Sequence, residues 1–107
     1  MIFGEHDLIR IDTLEQIEGN LNEDQLDLIR KADQNSVLNV NIPKKYESNK
    51  EKAIYKIGFL YKFLKYLYPE ATYSEIVQIM NDRYHVFLGQ RQVERNVKEY
   101  LENDIYR

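Results

Sequence analysis

Apolar positions recur at helical spacing over three stretches in the second half of the chain. From Ser48 to about Tyr68 the residues Ile54, Ile57, Leu60, Tyr61, Phe63, Leu64, Leu67 and Tyr68 form a wide arc. Such an arc predicts a long helix buried by more than one neighbour. Ser48 and Glu51 have capping-box spacing at its start, and Pro69 stops it because proline cannot continue the hydrogen-bond ladder. From Thr72 to about Tyr84 a second helix places Ile76, Val77, Met80 and Tyr84 inward, with Thr72 and Glu75 as another capping box. From Gly89 to about Asn103 a third stripe joins Val93, Val97, Tyr100 and Leu101. The other faces of that stretch carry Gln90, Arg91, Gln92, Glu94, Arg95, Asn96 and Lys98.

The first half is less periodic. Thr13 and Gln16 suit a cap before a short helical turn over Leu14–Glu18, ended by Gly19-Asn20. Asn22 predicts the cap of a helix from Glu23 to about Ala32, with Leu26 and Ile29 inward, after which Asp33–Ser36 reads as a loop. "VLNVNIP" (37–43) alternates weakly and is either a short strand or an extended connector. As a strand it needs a partner, and Met1–Phe3 and Leu8–Ile11 are the candidates. "PKKYES" (43–48) has the composition of a boundary. The expected fold is mainly α: an acidic N-terminal arm (1–45) with one or two short helices and, where it pairs, a short strand, followed by a three-helix helix-turn-helix unit (46–107).

Charge sharpens this division. The net charge is −3, but residues 1–43 carry three Lys/Arg against nine Asp/Glu, and residues 44–107 carry twelve against nine. The basic half suits a polyanionic partner; the acidic half suits a basic surface. With no cysteine there is neither a disulfide scaffold nor a thiolate metal site. The start "MIFGEHDLIRID" is acidic by position five and has no long apolar run, so a signal peptide is not expected; the most apolar window, Ile54 to Tyr68, is broken by Lys56, Lys62 and Lys65, so no membrane span is expected and a cytoplasmic location is. His6 with Glu5 and Asp7 could touch a metal but reads as an acidic terminus. Asp24 and Asp27 share a helix face, yet Arg30 three residues on suggests a surface ion pair. Neither HExxH, GxSxG, a P-loop nor GxGxxG occurs, so the expectation is a protein that is not an enzyme and needs no cofactor.

Two helices joined by a short non-helical segment and preceded by a longer apolar helix match a three-helix DNA-binding unit. His85 stands where the chain leaves the first of the pair, a position that often needs positive φ; histidine tolerates this better than most side chains. Val86 and Leu88 can plug the space between the helices. "TYSEIVQIMNDRYHVFLGQRQVERNVKEYL" resembles the helix-turn-helix of DeoR-like and WYL-domain bacterial regulators through Thr72, Glu75, Ile76, Asn81, Tyr84, Val86, Arg91, Val93 and Arg95. It departs from them at His85 (their glycine), Gly89 (their serine cap), Gln92 (their threonine) and Asn96 (their aspartate). Their β-hairpin wing has no counterpart in Asp104–Arg107, so a chain ending there is a wingless variant. The layout suits phage and mobile-element proteins.

The resemblance implies a small sequence-specific transcriptional regulator that binds double-stranded DNA through a recognition helix over about 90–103. Arg91 and Arg95 can pair with guanine and Gln90 and Gln92 with adenine. Glu94 can accept from cytosine N4, Lys98 suits phosphate, and Tyr73 and Ser74 at the start of the preceding helix can donate to phosphate. A homodimer is expected, with contact through the arm or through apolar residues near Tyr100 and Ile105. Two alternatives stand beside this. The polar face can be an ordinary solvated one, with Glu94 and Lys98 as an i,i+4 pair. Or the chain is a protein-interaction module of antirepressor or inhibitor type, whose acidic arm engages a basic partner. Among the tyrosines at 55, 61, 66 and 68, Tyr61 and Tyr68 are expected in the core and Tyr55 and Tyr66 at the surface, where they could stack bases.

Overall fold

The computed structural model describes residues 9–11 (9 and 10 by backbone alone) and 21–106. The chain is mainly α and divides into two compact units, Met1–Asn41 and Ile42–Arg107. The expected turn over Leu14–Glu18, the His6 cluster and the strand candidate Met1–Phe3 lie outside the described residues.

In the first unit, strand β1 (Ile9–Ile11) pairs in parallel with β2 (Leu38–Val40), with Ile9 opposite Leu38 and Ile11 opposite Val40. Within "VLNVNIP" the residues Leu38–Val40 are therefore strand, and 41–43 are not. Helix α1 (Glu23–Gln34) runs between the two strands. The Asn22 side chain accepts from the Gln25 amide at 2.8 Å, and the Gln25 side chain accepts from the Asn22 amide at 3.1 Å, a reciprocal cap. The helix continues past its expected end at Ala32. Asp33, expected in a loop, is helical and fully buried. The Asn35 amide donates to the Lys31 carbonyl and the Ser36 amide to that of Asp33, closing the helix, and Ser36 takes φ 57°. Asp27 and Arg30 form the expected ion pair at 2.9 Å on the exposed side.

The second unit is built on α2 (Asn49–Leu67). Ser48 caps it by accepting from the Glu51 amide, and its hydroxyl donates to the Glu51 carboxylate at 2.9 Å. The reciprocal bond to the Ser48 amide is not formed, so only half of the expected box is realised. The buried face of α2 comprises Ile54, Tyr55, Ile57, Gly58, Phe59, Leu60, Phe63, Leu64 and Leu67. Two expectations are corrected here. Tyr55, read as exposed, is buried, and Tyr61 and Tyr68, read as core, are half-buried along with Tyr66. Tyr55 is buried by an aromatic cluster that helical spacing within α2 does not show. Tyr46 lies 5.0 Å from Tyr55 and 5.5 Å from Tyr106, and Tyr55 lies 5.6 Å from Phe59 and 5.9 Å from Tyr100. Tyr46 comes from the segment read as a boundary. It is buried, and its hydroxyl donates to the Ile105 carbonyl at 2.9 Å, tying residues 43–48 to a 3₁₀ turn over Asp104–Tyr106.

Helices α3 (Tyr73–Tyr84) and α4 (Gln90–Glu102) complete this unit. Pro69 and the following turn separate α2 from α3. The Lys65 ammonium donates to the Ala71 carbonyl at 2.7 Å, and Thr72 and Glu75 form both bonds of the expected capping box. α4 packs principally on α2 and more lightly on α3. No helix among the described residues is long and apolar enough to cross a membrane.

Candidate nucleic-acid interface

The segment between α3 and α4 is held by four local devices. His85 takes φ 54° and ψ 42°, the left-handed conformation its position called for, and its amide donates to the Met80 carbonyl. The Val86 amide donates to the same carbonyl at 3.4 Å, so two N–H groups close the end of α3. Lys56 of α2 reaches the Tyr84 carbonyl at 3.5 Å, a cation at the negative end of the α3 dipole. The Asn81 side chain then clamps the far end of the turn: its amide donates to the Leu88 carbonyl at 3.3 Å, and its oxygen accepts from the Leu88 amide at 3.3 Å. Val86 and Leu88 are half-buried, as plugs between the helices should be. Phe87 between them also has positive φ, 55°, and its side chain is 76% exposed.

Gly89 caps α4 with extended backbone and no side-chain bond. The helix buries Val93, Asn96, Val97 and Tyr100. The stripe is therefore rotated from the expected one. Asn96, read as an outward polar residue, is buried, while Leu101, read as apolar stripe, is 41% exposed. At 3.6 residues per turn Asn96 lies about 60° from Val93 around the axis and Leu101 about 80°, so the choice was narrow. Packing against α2 settles it, since Tyr100 has to meet Gly58. The buried Asn96 oxygen accepts from the Gln92 amide at 3.3 Å.

Of the residues singled out on α4, Gln90, Arg91, Gln92, Glu94, Arg95 and Lys98 are all exposed. Gln92 is engaged with Asn96, so a base contact by its amide would compete with that bond. Lys98 makes no ion pair with Glu94, and Arg91 and Arg95 make no hydrogen bond or ion pair with any described residue. The guanidiniums stand in solvent on a helix whose opposite face is anchored. Ser74 is exposed at the first turn of α3.

Tyr73 departs from expectation. Its ring packs on Tyr61 at 5.2 Å, and its hydroxyl is buried without a hydrogen-bond partner. Burial, then the Glu94 carboxylate, then Tyr61 push its pKa up to about 12. A hydroxyl turned inward is not offered to a phosphate. The sequence shows Tyr73 only as the first residue after a cap, where exposure is the usual outcome. Its burial depends on Tyr61, twelve residues away on another helix. Comparison with protein-family models, with curated proteins and with solved structures finds no match to this chain.

Proposed function

We propose that the Ile42–Arg107 unit binds double-stranded DNA as a helix-turn-helix, with α4 in the major groove, and that the chain is a small sequence-specific transcriptional regulator of bacterial or phage type acting in the cytoplasm. One observation carries the reading. Arg91 and Arg95 project from an anchored helix, exposed and with no hydrogen bond or ion pair among the described residues, beside exposed Gln90 and Lys98. Uncommitted guanidiniums on a rigid support suit bidentate pairing with guanine O6 and N7, worth about 1–3 kcal/mol of discrimination each.

The roles follow position along α4. Gln90 and Arg91 in the first turn read base edges, with Arg95 one turn on. Lys98, nearer the C-terminal end, takes a phosphate. Ser74 and the free amides at the start of α3 hold a second phosphate. Glu94 accepts from cytosine N4, and its carboxylate penalises a misplaced backbone. Tyr73 supports the helix pair from inside and does not touch DNA. A dimer places two copies of α4 in successive major grooves, about 34–36 Å apart.

Binding of the full chain to duplex DNA carrying the region beside its own gene is the test. Affinity should fall steeply with salt, log Kd changing by about 0.9 per phosphate neutralised for each unit of log salt. Replacing Arg91 and Arg95 together by Ala should abolish sequence preference while the urea midpoint stays put. A second reading, binding of a basic protein surface by the acidic half, is favoured by the nine carboxylates among residues 1–43. Absence of duplex binding at low salt would select it.

A further inference from the structure

We infer that Phe87 is a specificity residue that contacts a thymine C5-methyl group at the edge of the groove α4 enters; this rests on the DNA-binding reading above and extends it beyond the polar residues of α4. Phe87 is unfavourable for the isolated chain in two independent ways. Its φ of 55° puts a bulky residue in the left-handed region, where glycine or asparagine would sit with less strain. Its ring is 76% exposed. Strain and exposure at one residue call for a contact outside the chain.

The ring is also held ready. His85 lies beside it with centroids 5.6 Å apart, and the backbone on either side is fixed by the Val86 bond to Met80 and the Asn81 clamp on Leu88. A group so braced loses little conformational freedom on contact.

Its surroundings decide the kind of contact. The other exposed large apolar side chains among the described residues are Leu101 and Ile105, beyond the far end of α4. Leu101 is eleven residues past Gln90, about 16 Å along the helix. Phe87 is thus an isolated apolar group among exposed His85, Gly89, Gln90 and Arg91. A protein interface clusters its anchors in an apolar core, which this rim lacks. A thymine methyl needs only one apolar partner, and phenylalanine is a side chain that makes this contact. Phe87 and Gln90 are three positions apart, a span of at most about 10 Å, or about three base pairs. With α4 seated by its N-terminal turn, the ring falls on the bases next to those read by Gln90 and Arg91.

The test begins with selection from a duplex pool of randomised sequence using the full chain. The selected duplex is then resynthesised with deoxyuridine replacing each thymidine in turn, which removes the methyl and nothing else. The wild-type chain should lose about fourfold in affinity at one or two positions, the contribution of one buried methyl-sized group. Phe87→Ala should bind the thymine duplex more weakly and show no further loss on deoxyuridine replacement. Phe87→Leu should retain part of the discrimination. Folding of both variants is checked by urea titration. Equal deoxyuridine effects in wild type and Phe87→Ala, or undiminished affinity of Phe87→Ala, overturn the inference. If binding still needs Arg91 and Arg95, the DNA reading survives that result. If no duplex is enriched, both fall together.

Discussion

Gly58 on α2 carries the ring of Tyr100 from α4 directly on its backbone. A methyl group built at Gly58 would overlap the Cβ and Cγ atoms of Tyr100 and come within 2.7 Å of Cδ1. Tyr100 cannot retreat easily, because Tyr55 and Tyr106 stand 5.9 and 6.1 Å away on ring centroids. This close approach sets which face of α4 looks inward and so which residues look out. Glycine inside a helix costs about 1 kcal/mol in propensity, a cost that the contact offsets. Gly58→Ala should therefore destabilise despite its better propensity, by about 1–3 kcal/mol, the range of overpacking. The urea midpoint should fall, and a Gly58→Ala/Tyr100→Ala double variant should be less destabilised than the sum of its parts.

The turn before α4 should show strain directly. Phe87→Gly relieves a left-handed residue and removes an exposed ring, so the chain should gain about 0.5–1 kcal/mol, net of the entropy glycine adds to the unfolded state. Thermal unfolding should move up by a few degrees, about 4–8 °C per kcal/mol for a domain of this size. His85→Gly should stabilise less, because histidine tolerates the left-handed region better. A lower melting temperature for Phe87→Gly would mean that the ring contributes to the fold.

Asn81 is a structural residue of the turn. Asn81→Ala leaves the Leu88 N–H and C=O without their partners at 3.3 Å and should cost about 1–2 kcal/mol. Faster hydrogen exchange at the Leu88 amide than at Val93 is the local signature to measure. Unchanged exchange there would remove the clamp from the account.

Gly89 leaves α4 without a side-chain cap, at φ −72° and ψ 162°, a conformation any residue accepts, and nothing lies within 4 Å of a Cβ placed there. Gly89→Ser should add a bond to an orphan amide and stabilise by a few tenths of a kcal/mol. Differential scanning calorimetry against the wild type reads the gain.

Two tyrosines bear on the alkaline limit. Tyr73 is raised from 10.0 to about 12, by burial first and then by Glu94 and Tyr61. Tyr106 is raised by burial first, then by Glu51, Glu99 and Tyr46. The folded chain holds these protons to higher pH than the unfolded chain does. The Tyr73 contribution is complete below pH 10 and is lost as pH rises towards about 12; that of Tyr106 is likewise lost above pH 10. Urea midpoints should decline across that window, and Tyr73→Phe should flatten part of the decline. Near neutral pH Tyr73→Phe should be neutral or mildly stabilising, since it removes a buried hydroxyl that lacks a partner. A slope unchanged by Tyr73→Phe would show that this hydroxyl ionises outside.

What the sequence by itself determined is local. Caps at Asn22, Ser48 and Thr72, the stop at Pro69 and the left-handed exit at His85 involve residues a few positions apart, whose side chains bond to nearby backbone. The four α-helices and the positions of Gln90, Arg91, Arg95 and Lys98 on an outward face were legible for that reason. The tertiary structure alone decided the rest. Asn96 went in and Leu101 stayed out because Gly58 receives Tyr100. Tyr55 was buried because Tyr46 arrives from a segment that carries no periodic pattern and Tyr100 from another helix. Tyr73 turned inward because Tyr61 covers it. Each is a contact between residues distant in sequence, and no short-range spacing encodes such a meeting.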